Sequence, residues 1–374
     1  MSRLSMNSLI DYHSSENRRD VVVDIISRLA EGEVMETTID TGKVRVGWSQ
    51  RPAAIERMAG HLKTEQTLCL CVTGYQQALD YLEEISEVGR RLMTRCWPGG
   101  LQVEVDVDLP FGLLEGLPGP SQQRLTTGRK LQILSPKSEF IRDLQKLLSG
   151  PLVLTSPIPV DKVSPLSKSS EDDLLTPGSD FRVESGVVDS SQGPTVVGLK
   201  DDDWDVINLG VLTQTYLKQM TGISYLFVCT GNTCRSPMAA GLFRKMLSNK
   251  LQCAETELAD RGFLVGSAGV SAGNGYPASP EAVQLLLDDG IDIGDHSSRQ
   301  LSEELLDQTD HILTLTNGHR QAILMSRPDL EGKIRLLSPE GRDVSDPIGG
   351  GLMEYEDCKT EIESYLKVLL DEID

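Results

Sequence analysis

The strongest constraint on the fold is a loop that lies between a predicted strand and a predicted helix. Tyr225–Val228 is apolar and is predicted to be a strand, and the segment C-T-G-N-T-C-R-S-P, Cys229 to Pro237, follows it directly. Ser236 and Pro237 are typical of a helix start, as an N-cap residue and a proline in the first turn. Such a loop presents unpaired backbone N–H groups and the positive end of a helix dipole. It therefore predicts a binding site for a tetrahedral dianion.

Three side chains of this loop indicate a reaction in which a cysteine attacks a bound phosphate group. A helix N-terminus and a nearby arginine favour the thiolate form of a cysteine, so Cys229 is the expected nucleophile. The planar guanidinium of Arg235 can hold two phosphate oxygens, and Ser236 can donate a hydrogen bond to the thiolate. Gly231 is expected to allow a tight turn that a side chain would block. The residues expected to bind the phosphate are Thr230, Gly231, Asn232, Thr233, Cys234 and Ser236.

The leaving group of such a reaction needs a proton donor. Asp346-Pro347 follows the last predicted strand and precedes Gly349-Gly350-Gly351. A carboxyl group in that loop can reach over the carboxyl edge of the sheet. We therefore assign Asp346 as the acid of a first step and the base of a second.

Strands and helices alternate from residue 222 to residue 374, which predicts a doubly wound sheet of four parallel strands with the phosphate loop after the first. Ser279 to Leu287 and Glu354 to Ile373 are predicted helices. The predicted strands after Tyr225–Val228 are Phe263–Val265, His311–Leu315 and Ile334–Leu337.

Four motifs of this region resemble the low-molecular-weight protein tyrosine phosphatases. They are, in the family's order, V-C-T-G-N-T-C-R-S-P, S-A-G at Ser267–Gly269, H-S-S-R-Q-L from His296, and Asp346-Pro347. The resemblance implies phosphorylated proteins as substrates, a phosphocysteine intermediate, and neither a metal nor another cofactor. An inactive member of the family is disfavoured, because nucleophile, arginine and acid are all present.

Two positions bear on the substrate. Tyrosine phosphatases of this family usually place an aromatic residue after the Asp-Pro pair, where Ile348 stands here and cannot stack on a phenol. The loop D-P-I-G-G-G resembles that of the bacterial protein-arginine phosphatases, which have phenylalanine in place of Ile348. They also share Thr233, whose hydroxyl can hydrogen-bond a guanidinium. Phosphoarginine is favoured, and phosphotyrosine stays open.

Other cysteines and histidines of this region have simpler explanations. Cys234 either forms a reversible disulfide with Cys229 or only packs in the loop. His296 and His319 are expected to be structural, since no carboxylate or cysteine is spaced to share a metal with them.

Residues 21–216 carry a second resemblance. The segments R-R-L-M-T-R-C-W-P-G-G-L (Arg90–Leu101) and G-P-L-V-L-T-S (Gly150–Ser156), then Pro194–Val197 and Asp205–Gly210, resemble the threonylcarbamoyl-adenylate synthase family, whose domains are called YrdC-like. This implies a twisted α/β fold.

Residues 21–216 lack most of the residues that the synthase family uses for its reaction. The family's Lys-x-Arg pair is replaced near His61–Thr64, its Ser-x-Asn becomes Ser156-Pro157-Ile158, and Asn208 stands where an arginine is usual. We therefore expect a degenerate domain that has lost ATP and bicarbonate chemistry. An active synthase, and a domain unrelated to this family, stay open.

Charge and composition limit the remaining functions. The net charge of −20 disfavours RNA or nucleotide binding by the N-terminal domain, although it does not exclude a local basic patch. No apolar stretch is long enough to cross a membrane, and seven cysteines without a disulfide or zinc pattern indicate a reducing cytoplasm. Residues 1–20 are expected to be a polar tail and 157–193 an acidic, Pro/Ser-rich loop.

Three functions remain after this reading. The first is a protein phosphatase with a non-catalytic YrdC-like domain. The alternatives are a bifunctional synthase and phosphatase, and an RNA- or nucleotide-binding module with an accessory phosphatase.

Overall fold

The computed structural model describes residues 9–13, 15, 17–62, 67–108, 111–158, 175–186 and 192–373. They form two compact units that divide between Met220 and Thr221. No helix among these residues is long and apolar enough to span a membrane.

The N-terminal unit is built on one mixed sheet of ten strands. In sequence order the strands are β1 (Leu9–Asp11), β2 (Met35–Ile39), β3 (Gly42–Trp48), β4 (Leu68–Cys71), β5 (Leu101–Asp106), β6 (Lys130–Leu134), β7 (Leu152–Thr155), β8 (Phe181–Glu184), β9 (Thr195–Lys200) and β10 (Asp203–Asn208). The helices are α1 (Arg18–Ala30), α2 (Pro52–Gly60), α3 (Tyr75–Ala78), α4 (Glu87–Cys96), α5 (Gly119–Leu125), α6 (Glu139–Leu147) and α7 (Gln214–Met220). The strand order is β1-β8-β2-β3-β7-β4-β6-β5-β9-β10.

Helices cover both faces of this sheet, and β4 shows why. Side chains alternate between the two faces of a strand. Leu68 and Leu70 pack in the core that includes α2, α4 and α5, whereas Cys69 and Cys71 pack in the core with α1 and α6. All four residues of β4 are buried, so the strand needs a layer of helices on each face.

Two predictions for the N-terminal unit were wrong in part. The polar tail contains β1 and the first turn of α1, and the acidic loop contains β8. Strand β8 lies between β1 and β2 and is parallel to both. Its alternation places Phe181 and Val183 in the core, and that burial outweighs the acidic surroundings. Residues 159–174 and 187–191 of the predicted loop lie outside the described residues.

The C-terminal unit contains a smaller sheet whose four strands are all parallel, as predicted. The strands are β11 (Ile223–Cys229), β12 (Phe263–Gly269), β13 (His311–Thr314) and β14 (Ile334–Leu336), in the order β12-β11-β13-β14. The helices are α8 (Arg235–Leu251), α9 (Pro280–Asp288), α10 (Glu303–Gln308), α11 (Asn317–Ser326) and α12 (Leu352–Asp371). Strand β11 is central, so the loop after it lies at the middle of the sheet edge.

The side chains of β11 point alternately to the two faces of the smaller sheet, where they pack in two different cores. Tyr225 and Phe227 pack with α8, α9 and α12, and Leu226 and Val228 pack with α10 and α11. The sheet is therefore doubly wound.

Two helix starts in this unit are capped by the side chain of a serine or threonine. The side chains of Ser302 and Thr316 accept hydrogen bonds from backbone N–H groups in the first turns of α10 and α11. The expectation that Ser236 is the N-cap of α8 was wrong, because α8 begins at Arg235 and its N-cap is Cys234.

Candidate active site

The three residues predicted to carry the chemistry come from different elements and meet at the carboxyl edge of the smaller sheet. Cys229 is the last residue of β11, Arg235 is the first residue of α8, and Asp346 lies in the loop between β14 and α12. Ligands of open α/β sheets bind at this edge. We call Cys229–Arg235 the phosphate loop.

The thiol of Cys229 lies against hydrogen-bond donors of its own loop. Its Sγ is 3.0 Å from the Oγ of Ser236 and accepts a hydrogen bond of 3.3 Å from the backbone N–H of Asn232. The residue is only 3% exposed. Donors aimed at the sulfur can stabilise negative charge that develops on it during a reaction, and Ser236 has the contact that the sequence predicted.

Asn232 holds the loop in shape from inside the protein. Its φ of 56° lies in the left-handed region, and the residue is completely buried. Its side-chain amide donates to the hydroxyls of Ser236 and Ser267, both at 2.9 Å. The side-chain oxygen Oδ1 of Asn232 accepts from the backbone N–H of Arg299, also at 2.9 Å. The sequence predicts Asn232 as a phosphate-binding residue but gives no sign of this supporting role.

The glycine that the structure requires is not the one that the sequence indicated. A Cβ on Gly231 would meet only the Oγ1 of Thr233, at 3.6 Å, so the expectation that a side chain there would block the turn was wrong. A Cβ on Gly269 would lie 2.4 Å from the carbonyl oxygen of Thr230. Glycine at position 269 lets the end of β12 pack against the loop.

Arg235 and Asp346 contact each other directly. An Nη2 of Arg235 donates to Oδ2 of Asp346 at 2.5 Å, and Nη1 donates to the carbonyl oxygen of Val344 at 3.3 Å. The arginine side chain is buried and that of Asp346 is 45% exposed. The carboxyl group can therefore reach a bound molecule from the solvent side.

Two histidines of the unit, His296 and His319, bind the phosphate loop. Nε2 of His296 is 2.7 Å from the backbone oxygen of Asn232. The ring of His319 lies between two hydroxyls, with Nε2 2.9 Å from Oγ1 of Thr230 and Nδ1 3.0 Å from Oγ1 of Thr316. Burial, and then the charge of Arg235, lowers the pKa of His319 to about 4. The imidazole is therefore neutral at physiological pH.

The side chain of Cys234 points to α12. Its Sγ lies 3.2 Å from the hydroxyl of Tyr355 and 3.6 Å from the Oγ1 of Thr233. Burial, and then the contact with Cys234, raises the pKa of Tyr355 to about 12, so that hydroxyl stays protonated at neutral pH. All seven cysteines are free.

Ile348 lies at the rim, with its side chain directed to solvent. It is 70% exposed, and its backbone N–H donates to Oδ1 of Asp346 at 3.3 Å. Among the described residues, no group of three or more His, Cys, Asp or Glu side chains is arranged to hold a metal ion.

Comparison with known proteins finds similarity in the part of the chain that contains these site residues. The family model for low molecular weight phosphotyrosine protein phosphatase matches residues 224–374. The protein-arginine-phosphatase of Geobacillus stearothermophilus is 38% identical over 40% of this chain and 94% of its own length. A probable low molecular weight protein-tyrosine-phosphatase, EpsP of Ralstonia solanacearum, is 37% identical over 37% of this chain and 87% of its own length.

One solved structure is also similar to part of the chain. The crystal structure of a YwlE mutant from Bacillus subtilis aligns with 41% of this chain and 99% of that chain, at 33% identity and a TM-score of 0.36. Each of these matches covers about two fifths of the chain, and the residues matched by the family model lie within the C-terminal unit.

Proposed function

Through residues 224–374 the chain belongs to the low molecular weight phosphotyrosine protein phosphatase family, and from this premise we propose that Cys229, Arg235 and Asp346 hydrolyse phosphorylated protein side chains through a phosphocysteine. The observation that carries the proposal is the meeting of the three at one sheet edge, with two donors on the thiol. The relatives are phosphatases and therefore hydrolases.

In the first step the thiolate of Cys229 attacks phosphorus. The S–P bond forms as the bond from phosphorus to the leaving oxygen or nitrogen breaks, and Asp346 gives that atom its proton. Arg235 must exchange its contact with Asp346 for the phosphate oxygens, and this exchange releases the carboxyl group. Backbone N–H groups of the phosphate loop and the N-terminus of α8 stabilise the charge on the transferred group.

In the second step water attacks the phosphocysteine. The S–P bond breaks, and the carboxylate of Asp346 takes the proton of the water. Ser236 and the N–H of Asn232, which lie 3.0 and 3.3 Å from the sulfur, stabilise the departing thiolate.

For the substrate we propose phosphoarginine ahead of phosphotyrosine. The named relatives include both activities at nearly equal identity, 38% and 37%, so the proposal rests on the site. Ile348 offers no ring for a phenol to stack on, and Thr233 supplies a hydroxyl for a guanidinium. We place this activity in a reducing cytoplasm, where the thiol of Cys229 would stay reduced.

For the N-terminal unit we propose a YrdC-like fold without synthase activity. Its mixed sheet with helices on both faces fits that fold. The backbone of Ile158, at the family's asparagine position, pairs with Lys43, and Asn208 ends β10 where the family has arginine. The replaced Lys-x-Arg segment includes Lys63 and Thr64, which lie outside the described residues.

The first test replaces the nucleophile. Cys229→Ser should abolish hydrolysis of para-nitrophenyl phosphate, because a serine hydroxyl is not ionised in this loop. Cys253→Ser is the matched control, since that cysteine is only partly buried and lies outside the phosphate loop. Normal turnover by Cys229→Ser would remove Cys229 as nucleophile.

The second test compares phosphoarginine, phosphotyrosine and phosphoserine peptides. Thr233→Ile leaves a guanidinium donor unpaired, which costs about 1–3 kcal/mol, or roughly tenfold or more in relative rate. The ratio of kcat/KM for phosphoarginine to that for phosphotyrosine should fall by at least that factor. A wild-type preference for phosphotyrosine, or an unchanged ratio, would favour the tyrosine-phosphatase assignment.

A further inference from the structure

The C-terminal unit contains a cavity of about 400 Å³ behind the phosphate loop. It lies between the first turns of α8, the strand β12 and the loop around Ile293. Cys229, Arg235 and Asp346 are not among the described residues that line it. Its volume falls within the range of small-molecule sites.

Two guanidinium groups, those of Arg244 and Arg299, enter this cavity. Nε of Arg299 donates to the backbone oxygen of Ser267 at 2.8 Å. Within the described part of the chain, Arg244 has no hydrogen bond or ion pair, and the two terminal nitrogens of Arg299 have no carboxylate partner. Burial lowers the pKa of Arg244, which reflects a partly desolvated charge. Arg299 is exposed, so its charge is better solvated than that of Arg244. Two guanidinium groups that face one cavity favour a bound anion.

The acidic residues of the cavity do not neutralise these groups. Asp292 and Asp295 are exposed. Asp292 accepts a hydrogen bond of 2.7 Å from the N–H of Gly294 instead of pairing with an arginine. Glu255, which acts on Arg244 from a distance, lies 4.0 Å from Lys245. An anion would therefore meet the guanidinium group of Arg244 and the two terminal nitrogens of Arg299, none of which has a carboxylate partner among the described residues.

The imidazole of His296 faces the same cavity and is sensitive to its charge. Burial is the main cause that lowers the pKa of His296 below its usual value, and the nearby charges of Arg244 and Arg299 lower it further. Its Nε2 is bonded to the backbone oxygen of Asn232, and Nδ1 is the nitrogen left for a proton or a ligand. An anion that neutralises the arginines would favour the protonated ring.

We propose that this cavity is a second anion site, in which Arg244, Arg299 and His296 bind the carboxylate or phosphate group of a small molecule. The guanidinium forks offer paired donors to either group. Pro237, Ala240 and Ile293 line the same space and contact the apolar part of the ligand. The site reaches the phosphate loop directly, because His296 and the backbone N–H of Arg299 both bind Asn232.

Sulfate is the probe for this site, because it stays a dianion from pH 5.5 to 7.5 and any pH dependence then belongs to the protein. Calorimetric titration of the full chain should find two sulfates, one on the phosphate loop and one in the cavity. Arg235→Met should lose the first and keep the second, and Arg244→Met should do the reverse. Lys245→Met, the next residue of α8, should keep both.

The pH dependence provides a second readout. Affinity for the cavity sulfate should rise severalfold as the pH falls toward 5.5, because the protonated ring of His296 adds a positive charge next to the anion. Displacement of the cavity sulfate by malonate assigns carboxylates to the site, and displacement by inorganic phosphate alone assigns phosphates. A wild-type chain that binds one sulfate, or an Arg244→Met variant that binds two, would overturn the proposal. Neither result depends on phosphatase activity.

Discussion

At the residue scale, the shape of the phosphate loop depends on the side chain of Asn232. The loop needs a left-handed residue at this position, and asparagine adopts that conformation more readily than most residues. The same side chain then fills three hydrogen-bonding positions in the interior. Conformation and hydrogen bonding can be separated by two substitutions.

We predict that Asn232→Ala lowers both stability and kcat/KM more than Asn232→Gly does. Both variants leave buried partners unsatisfied, at about 1–3 kcal/mol. Alanine adds the cost of a left-handed residue, roughly 1–2 kcal/mol, and glycine does not. Unfolding by urea and hydrolysis of para-nitrophenyl phosphate measure the two effects. Equal losses in the two variants would show that the backbone conformation contributes nothing.

Asp346 yields a prediction about leaving groups. Asp346→Ala should slow alkyl and phenyl phosphates far more than activated aryl phosphates, whose leaving groups depart without a proton. The measurement is kcat/KM across a series of esters, in wild type and variant. Equal slowing of all esters would instead mean that the carboxylate only positions Arg235 through their contact.

The position of these residues at one site was predictable from the sequence, whereas the contacts that support them were not. Cys229 and Arg235 share one local motif, and a strand, loop and helix suffice to place them. Asn232 depends on Ser267 and Arg299, which are 35 and 67 residues away in sequence. Only the sheet brings those partners together, so local spacing carries no sign of them.

At the element scale, α11 is tied to the phosphate loop by one neutral imidazole. Thr316 is the N-cap of the helix and also contacts Nδ1 of His319, whose other nitrogen contacts Thr230. A neutral ring has one donor and one acceptor, which suits two hydroxyls. Protonation would make both nitrogens donors next to the charge of Arg235.

We predict that this contact weakens the C-terminal unit in acid. The pKa of His319 is about 4 in the folded chain and about 6.5 when unfolded. Between these values the unfolded chain binds the extra proton, so stability falls as the pH drops from about 6.5 to about 4 and is unaffected above that window. His319→Gln should flatten the dependence, and exposed His13→Gln should leave it unchanged.

Loss of activity in urea, normalised at each pH, measures this effect. The three tryptophans, Trp48, Trp97 and Trp204, all lie in the N-terminal unit, so their fluorescence does not report on the C-terminal unit. An identical pH dependence in wild type and His319→Gln would refute the assignment.

Elements differed in how far the sequence could predict them. The strands and long helices of the C-terminal unit follow from their apolar periodicity. Strand β8 was missed because it has only four residues, FRVE, in an acidic context. Its partners β1 and β2 are far away in sequence. Its place in the sheet is set by these long-range pairings.

At the scale of the whole molecule, the chain combines two sheets of different kinds. The smaller sheet is parallel and places its loops at one edge, which suits a phosphate site. The larger is mixed and has ten strands. Its resemblance to a synthase family raises the question of whether it has a second activity.

We predict that the N-terminal unit does not form threonylcarbamoyl-AMP. At the sites that correspond to the family's Ser-x-Asn, the hydroxyl of Ser156 is held by Thr67 at 2.7 Å and by Gln102 at 3.3 Å. Ile158 offers no amide to a ligand, and Asn208 offers no cation to a triphosphate. Incubation of the full chain with ATP, threonine and bicarbonate should release no more pyrophosphate than the same mixture without threonine, while an active synthase tested in parallel releases it. Threonine-dependent release by this chain would mean that other residues have taken over ATP binding, and the bifunctional alternative would then replace the degenerate-domain proposal.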